Sequence, residues 1–376
     1  MALASSACST GQGTPPVEAP PKASINAEPV APEPTTVAPV VEPTSSPPHA
    51  VAPAPKTLVE LRGERIEAGP STAETCKPEI LARSFQEPGV FTSGETVFVV
   101  DTKTNRIGSD YEHRTRVIEL RPGAKSRPIV DFVADLSDVE LVGSRVAVLD
   151  AIEKTATWAD LKTGKREPVK IPVWELGKKD AALYGVSVTD THAEIHSVPA
   201  KVGDSSALVA KVEGKLDAPT SLVSTNVNLY FFASALGETE PLRKNASRLV
   251  RANPSSGDGE IFGMVLLATR LAATSDTVFV GSLTDVLRLD EKTGKILRAG
   301  TLGGASAIAA DEEAAAWTDF DKGTITMWPK NGAPHVACEV PFASHIALTK
   351  SHVYFTAATS DELAPNGGAY IARFPR

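Results

Sequence analysis

The sequence predicts an all-β protein: a single β-propeller behind a disordered, proline-rich N-terminal tail. Two observations support this prediction. A four-strand pattern recurs along residues 87–376, and 27 glycines and 29 prolines punctuate the 376-residue chain. A unit that repeats about every 35–50 residues has the size of one propeller blade. Seven blades are favoured, and six blades are the rival count.

The clearest repeat unit covers residues 306–341. Turn residues separate four short runs of strand-forming residues, and the Asn-Gly pair at 331–332 is the strongest short signal for a β-hairpin. Four antiparallel strands therefore fit within about 36 residues. The four runs are Ala307–Ala310, Ala314–Asp319, Thr324–Trp328 and His335–Val340.

The other units follow the same order of apolar run, polar turn and two β-rich runs. One such sheet cannot bury both of its faces alone, so neighbouring sheets are expected to stack into a ring. The last unit ends at Phe374 without an outer strand, whereas Cys76–Ser84 belongs to no unit. We expect this segment to pair with Ala369–Phe374 and close the ring, and we expect residues before 70 to matter little. The predicted units begin near residues 87, 136, 183, 218, 269, 304 and 343.

The phrase Ala316-Trp317-Thr318-Asp319, followed by Gly323-Thr324-Ile325 and Lys330-Asn331-Gly332, resembles the YWTD-type repeat of bacterial β-propellers. The leading tyrosine is replaced by Ala316, and the seventh unit reads Val353-Tyr354-Phe355-Thr356 without the aspartate. The resemblance implies propeller architecture over roughly residues 76–376. Propellers of this kind serve binding, scaffolding and several hydrolase or lyase reactions, so the fold alone does not define the function.

The first 56 residues differ from the rest of the chain in composition. Residues 11–56 hold thirteen prolines and no phenylalanine, tryptophan or tyrosine, which predicts a disordered linker that samples extended polyproline II structure. Residues 1–10 are interpreted as the remnant of a lipoprotein signal, with Cys8 as the lipid anchor. Ser5 stands where an aliphatic residue is usual, and the apolar core of a signal peptide is missing, so an ordinary tail cysteine is the alternative. The propeller domain is predicted for residues 57–376.

Charge and cysteine content limit the classes of function. The formal net charge of −8 leaves no overall basic footprint for nucleic acid, and no apolar run is long enough for a transmembrane helix. Membrane attachment would therefore depend on Cys8 alone, at the cell envelope. Cys76 and Cys338 could form a disulfide, but their separation in space cannot be read from the sequence.

Two groups of residues are candidate sites. His192, Glu194 and His196 would share one face of a strand, which suits a transition metal but equally suits a solvated outer strand, and no metal is predicted. The insertion 236–259 is a possible binding loop, with a strand pair and extended hairpin as its alternative. His345 is expected at a turn or on the surface. The basic residues of the insertion are Arg243, Lys244, Arg248 and Arg251.

These features favour a non-catalytic, extracytoplasmic binding or scaffold propeller on a proline-rich tether. Its partner would be an unidentified protein or cell-envelope ligand, and no cofactor is predicted. The alternative is a metal-dependent propeller hydrolase or lyase of the lactonase type, with a metal in the central channel. Metal analysis of the propeller domain would distinguish the two.

Overall fold

The computed structural model describes residues 59–376, except 86, 108–109, 122, 134–135, 151–152, 236–244 and 359–367. The predicted linker and Cys8 lie outside the described residues. Within them the only helices are two 3₁₀ turns, Ala73–Thr75 and Gly300–Leu302, so no described helix could span a membrane. All other regular structure is β-strand, as the sequence predicts.

The strands form seven sheets, one for each blade, which confirms the seven-blade count. Two short strands precede the first blade: β1 (Glu64–Arg65) and β2 (Glu79–Phe85). Blade 1 consists of β3 (Glu87–Ser93), β4 (Thr96–Ile107), β5 (Asp110–Leu120) and β6 (Arg127–Val133). Blade 2 consists of β7 (Leu136–Val142), β8 (Arg145–Asp150), β9 (Thr155–Asp160) and β10 (Arg166–Lys170). Blade 3 consists of β11 (Glu175–Lys179), β12 (Ala182–Val188), β13 (His192–Ser197) and β14 (Ala207–Glu213).

Blades 4 to 7 repeat this arrangement, with the first strand of each innermost. Blade 4 consists of β15 (Leu216–Ser224), β16 (Leu229–Ala235), β17 (Ala246–Ala252) and β18 (Gly259–Leu266). Blade 5 consists of β19 (Ala268–Ala273), β20 (Thr277–Ser282), β21 (Val286–Asp290) and β22 (Ile296–Arg298), with β1 at its outer edge. Blade 6 consists of β23 (Ala307–Ala310), β24 (Ala314–Asp319), β25 (Thr324–Pro329) and β26 (His335–Glu339). Blade 7 consists of β27 (Ala343–Leu348), β28 (His352–Ala358), β29 (Ala369–Pro375) and β2.

One predicted blade boundary is wrong. The third unit was expected to begin near residue 183, but its inner strand is β11, and Tyr184 lies on β12. The sequence of β11, Glu-Leu-Gly-Lys-Lys, has the charge of a loop. It nevertheless forms an inner strand, because Glu175 is buried and bonded to the neighbouring blade.

Large side chains fill the space between blades. Trp317 and Trp328 pack with Phe279 of the preceding blade, with ring centroids 6.5 Å apart for the tryptophan pair and 6.1 Å apart for Phe279 and Trp328. Both tryptophans are almost completely buried. The tryptophan of the Trp-Thr-Asp phrase therefore holds blade 5 against blade 6, as expected for a ring in which each sheet needs its neighbours.

The predicted ring closure is confirmed. Strand β2 pairs antiparallel with β29, with Glu79 opposite Arg373 and Phe85 opposite Ala369. Phe85 is the buried anchor of this strand, whereas Ile80 is 42% exposed. A strand from the start of the domain thus completes the blade built from its end, which leaves β29 without a free edge.

Residues 59–76, here called the strap, run along the outer edges of three blades before β2 begins. The Leu61 amide donates to the Met264 carbonyl of blade 4 at 2.9 Å, and β1 lies parallel to β22 of blade 5. A disulfide joins Cys76 to Cys338 of blade 6, with the Cα atoms 5.3 Å apart. Residues before 70 therefore bond to the ring, which argues against the expectation that they matter little for stability.

Candidate functional site: the central channel

The inner strands of all seven blades surround a central cavity of about 730 Å³. This volume lies within the range of small-molecule binding sites. Its lining is mixed: apolar residues such as Phe91 and Ile346 contribute to it, but polar groups contribute at least as much. Ionisable side chains from four of the seven blades line the cavity: Asp138, Glu140, Glu175, Arg270 and His345.

Three consecutive hydrogen bonds join the inner strands of blades 2 to 5. Asp138 Oδ2 accepts a hydrogen bond from the Leu176 amide at 2.7 Å. Glu175 Oε1 accepts one from the Ser221 amide, and Ser221 Oγ accepts one from the Leu271 amide at 2.7 Å. We call these bonds the inter-blade relay. Each passes from a side chain on one blade to the backbone of the next, so the relay fixes the channel wall.

The backbone of β15 is adapted to the relay. Ser221 has a φ of 60°, which is uncommon for a residue with a side chain. The pairing of β15 with β16 also shifts on both sides of Thr220. This irregularity lets Ser221 donate its amide to blade 3 and accept a bond on its hydroxyl from blade 5.

Burial raises the pKa of all three carboxyl groups in the channel. The pKa of Glu140 rises to about 8, with Asp138 adding to the rise and Lys178 opposing it. The pKa of Asp138 rises to about 6, although its backbone hydrogen bonds and the charge of Arg270 oppose the effect of burial. Burial and the charge of Asp138 hold the pKa of Glu175 well above its ordinary value. Ionised carboxylates are therefore destabilised in the channel.

Arg270 and His345 complete the charged lining from blades 5 and 7. Within the part of the chain that the structure describes, the Arg270 guanidinium makes no hydrogen bond and no ion pair. Its positive charge nevertheless acts to lower the pKa of Asp138 and of Glu175 without direct contact. Burial, followed by the charge of Arg270, lowers the pKa of His345, so this imidazole is disposed to stay neutral.

The ionisable residues are spread along the inner strands. Glu175 is the first residue of its strand, Asp138, Arg270 and His345 are each the third, and Glu140 is the fifth.

An aromatic pair lies outside the cavity, where the inner strands begin. Phe342, just before β27, lies 5.6 Å from Phe320 between ring centroids, and both rings are nearly half exposed. Neither ring is among the residues that line the cavity.

The three residues with a metal-like spacing do come together on β13, in the third strand of blade 3 rather than in the channel. His192 Nε2 lies 2.9 Å from Glu194 Oε1, and His196 Nε2 lies 3.1 Å from Glu194 Oε2. The hydrogen bond from His192, followed by that from His196, lowers the pKa of Glu194 against the opposing effect of burial. Among the described residues no group of three ligating side chains is arranged to hold a metal ion.

The predicted binding loop is only partly described. Arg243 and Lys244 lie outside the described residues. Arg248 and Arg251 lie on strand β17 of blade 4, where Arg248 is buried. Arg251 pairs with Glu260, and its guanidinium lies 4.8 Å from the centroid of the Phe262 ring. These two arginines are thus part of a sheet, and a binding role for the insertion stays a prediction.

Sequence reasoning missed the channel residues. His345 was expected at a turn or on the surface, but it lies on inner strand β27 and lines the cavity. The sequence did contain a signal for these residues. Charged residues occur within the first strand-forming segment of a repeat unit, as in Asp138-Val-Glu140 and at Arg270. An inner strand is enclosed by the ring, so a charge there has either a partner across the blades or a role in the channel.

No protein-family model and no curated protein matches the chain. Three solved structures that resemble it share only 12–13% sequence identity with this chain, which establishes similarity of fold alone. A streptogramin B lyase matches with a TM-score of 0.51, over 79% of this chain and 96% of the lyase. A catalytically inactive variant of virginiamycin B lyase from Staphylococcus aureus, solved with quinupristin, matches with a TM-score of 0.54, over 80% and 99%.

The β-propeller domain of the trilobed protease from Pyrococcus furiosus matches with a TM-score of 0.51, over 73% of this chain and 91% of that domain. That domain has an open velcro topology. In contrast, this chain closes its ring through the pairing of β2 with β29. The β-propeller fold is thus shown both by the strand topology and by the comparisons.

Proposed function

We propose that the protein is a non-catalytic binding propeller that takes a small, charged ligand in its central channel. The observation that carries this proposal is the meeting of Asp138, Glu140, Glu175, Arg270 and His345 in one cavity. Strongly shifted ionisable groups in a cleft are characteristic of functional sites. If the inner strands had only a structural role, apolar packing would be sufficient and these ionisable residues would not be needed.

The energetics of the channel favour occupancy. Asp138 and Glu175 have a structural role in the relay, but Glu140 and Arg270 make no ion pair within the described part of the chain. A ligand of matching charge would compensate for the burial that raises the pKa of Glu140. The repeat that builds this site is, in our proposal, of the YWTD type, and its Trp317 packs against Trp328.

The cell envelope is the proposed location. The Cys76–Cys338 disulfide supports it, since disulfides persist mainly in oxidising compartments. A lipid on Cys8 would anchor the chain, and residues 11–56 would act as the tether. If the protein is expressed behind a lipoprotein signal peptide, it should partition into detergent, and Cys8→Ala should release it. Unchanged partitioning of the variant would refute the anchor.

A thermal-shift screen with charged metabolites tests ligand binding. The channel variant combines Arg270→Ala with Glu140→Ala, neither of which breaks a hydrogen bond of the relay. The matched control combines Lys211→Ala with Glu213→Ala, an exposed pair 2.9 Å apart on blade 3 that also removes one charge of each sign. We expect at least one compound to raise the Tm of wild type and control but not of the channel variant. If every stabilising compound acts equally on all three, the channel is not the site.

A further inference from the structure

We propose that the channel ligand is a small oxyanion, the carboxylate of an organic acid or a phosphate group, which pairs with Arg270 and accepts hydrogen bonds from the carboxylic acids of blades 2 and 3. This inference rests on the proposed function and specifies the chemical class of its ligand. The ligand would occupy the cavity of about 730 Å³ with its charged group at Arg270.

Arg270 presents its positive charge to the channel. It lies on inner strand β19 beside the buried Leu271, yet its own side chain is exposed. An inner strand is enclosed by the ring and Arg270 lines the cavity, so its exposed surface faces the channel. Its charge acts on Asp138 of blade 2, Glu175 of blade 3 and His345 of blade 7. The guanidinium of blade 5 therefore faces groups from three other blades.

The nearby carboxyl groups are held by the backbone rather than by Arg270. Asp138 Oδ2 accepts a hydrogen bond from the Leu176 amide at 2.7 Å, and Glu175 Oε1 accepts one from the Ser221 amide. These bonds tie both side chains to the channel wall. Among the described residues no carboxylate forms an ion pair with Arg270, so its charge is left for a ligand to match.

The channel carboxyl groups are disposed to be neutral acids rather than anions. Burial raises the pKa of Glu140 to about 8 and holds that of Glu175 well above its ordinary value, so both tend to keep their protons near pH 7. The pKa of Asp138 is about 6, so this group needs to take up a proton. A protonated carboxyl group donates a hydrogen bond, and such bonds are stronger when the acceptor is charged. The acids would therefore support an oxyanion that binds the planar guanidinium of Arg270.

Two other ionisable groups act in or near the channel. Burial, followed by the charge of Arg270, lowers the pKa of His345, which favours a neutral imidazole. Lys178 acts on Glu140 through its charge, but its ammonium donates to the Leu141 carbonyl at 3.1 Å and does not line the cavity. In the part of the chain that the structure describes, Arg270 is thus the only cationic side chain of the cavity lining.

A cationic ligand fits the channel less well. It could relieve the burial of an ionised Glu140, but near pH 7 it would have to displace the proton from that carboxyl group. It would also be repelled by Arg270, and the described residues contain no group arranged to hold a metal ion. An anion instead meets an unmatched positive charge, and its presence favours the protonated form of each nearby acid.

Isothermal titration calorimetry of the full chain tests the class of ligand. Acetate, butyrate, hexanoate and inorganic phosphate are the oxyanion probes, and ethylamine, butylamine and hexylamine are the cation probes. We expect at least one oxyanion to bind about tenfold more tightly than any of the amines. Tightest binding by phosphate or by a carboxylate identifies the source of the oxyanion. The inference is wrong if no oxyanion binds, or if an amine binds as tightly as the best oxyanion.

Single variants test the role of Arg270. Arg270→Gln should weaken the best oxyanion about tenfold, whereas Arg270→Lys should recover part of the loss because it restores the charge without the planar fork. Lys211→Gln, which removes an exposed positive charge on blade 3, is the control and should bind like wild type. Wild-type affinity in Arg270→Gln would overturn the inference.

The pH dependence of affinity tests the role of the acids. Glutamine at position 140 keeps a hydrogen-bond donor at every pH, whereas the wild-type carboxyl group loses its proton near pH 8. Glu140→Gln should therefore bind the oxyanion like wild type at pH 6 and about tenfold more tightly than wild type at pH 9. Equal affinities at pH 9 would show that Glu140 is not a donor and would overturn the inference. If other compounds still require the channel in the thermal-shift screen, only the oxyanion inference fails and the proposed function stands.

Discussion

The backbone amide of Leu271 donates a hydrogen bond to the Ser221 hydroxyl at 2.7 Å, across the boundary between blades 4 and 5. Leu271 and Ser221 both lie on inner strands. On the channel side an inner strand has no neighbouring strand, so the Leu271 amide donates to the Ser221 side chain instead. Ser221 in turn donates its own amide to Glu175 of blade 3. Ser221 is thus the central member of the relay, and its φ of 60° positions both its amide and its hydroxyl.

Ser221→Ala should therefore destabilise the propeller. Alanine keeps the same unusual φ but removes the acceptor, so the buried Leu271 amide is left without a partner. We expect a loss of about 1–3 kcal/mol in the free energy of unfolding, measured by urea denaturation. Ser224→Ala is the matched control, since Ser224 lies on the same strand and bonds to the Lys178 carbonyl from an exposed position. Its loss should stay below about 0.5 kcal/mol, and equal losses would show that the relay is not special.

Glu140→Gln should change how stability depends on pH. The folded pKa of about 8 lies above the ordinary value of 4.5, so between these values the native state holds a proton that the unfolded chain releases. The contribution of Glu140 to wild-type stability therefore falls as pH rises through this window and is level outside it. Glutamine binds no proton, so the variant should match wild type near pH 4 and exceed it by roughly 2–4 kcal/mol at pH 8, since channel water screens part of the effect.

Glu119→Gln gives a control of opposite sign. Hydrogen bonds from Arg121, and then Arg127, lower the pKa of Glu119 against the opposing effect of burial. The ionised form is therefore stabilising, and the variant should be less stable than wild type at neutral pH and approach it on acidification. Denaturation curves at several pH values measure both variants. A Glu140→Gln variant that tracks wild type from pH 4 to 8 would contradict the raised pKa.

The repeat pattern predicted most of the fold because blades are local structures. Hairpins within a blade join neighbouring segments, so turn signals such as Asn331-Gly332 mark them directly. Ring closure was also predictable, since the last unit lacked one strand and Cys76–Ser84 was left over. The start of blade 3 was missed because Glu175 makes β11 look like a loop. Its burial depends on Ser221, 46 residues away, which no local pattern reveals.

The channel could not be predicted in the same way. Its lining comes from eight separate strands, and each contributes only two or three residues. Asp138 and Arg270 are unremarkable in sequence, and only the ring places them around one cavity. The cysteine pairing was open for the same reason. Cys76 and Cys338 are 262 residues apart and become neighbours only after the strap follows the outer edge of the ring.

The disulfide should stabilise the strap and the ring together. It closes a loop of 262 residues in the unfolded chain, and removing it typically costs about 2–4 kcal/mol. We expect reductant to lower the Tm of wild type and to have no effect on a Cys76→Ala, Cys338→Ala variant. That variant should unfold near the Tm of the reduced wild type. If reductant leaves the wild-type Tm unchanged while free thiols become titratable, the disulfide contributes nothing to stability.

N-terminal truncations separate the contributions of tail, strap and closing strand. A chain that begins at residue 59 should keep the full Tm, because it retains every described contact. A chain that begins at residue 71 loses β1 and the partly buried Leu61 and Ile66. It should lose about 2–3 kcal/mol. A chain that begins at residue 87 also loses β2 and the disulfide, which exposes β29, and it should lose several kcal/mol more.

Gly63→Val tests the strap without shortening the chain. A Cβ at Gly63 would lie 2.8 Å from the carbonyl carbon of Leu297, so a side chain there must push the strap away from blade 5. The matched control is Gly94→Val, since a Cβ at Gly94 meets no atom within 4 Å, although its φ of 59° adds strain of its own. We expect hydrogen exchange of the Ile66 amide, which donates to the Arg298 carbonyl at 2.9 Å, to speed up in Gly63→Val alone. Because the exchange is read at one strap amide, strain at Gly94 does not imitate the result. Unchanged protection of Ile66 in Gly63→Val would show that the strap does not depend on close contact with β22.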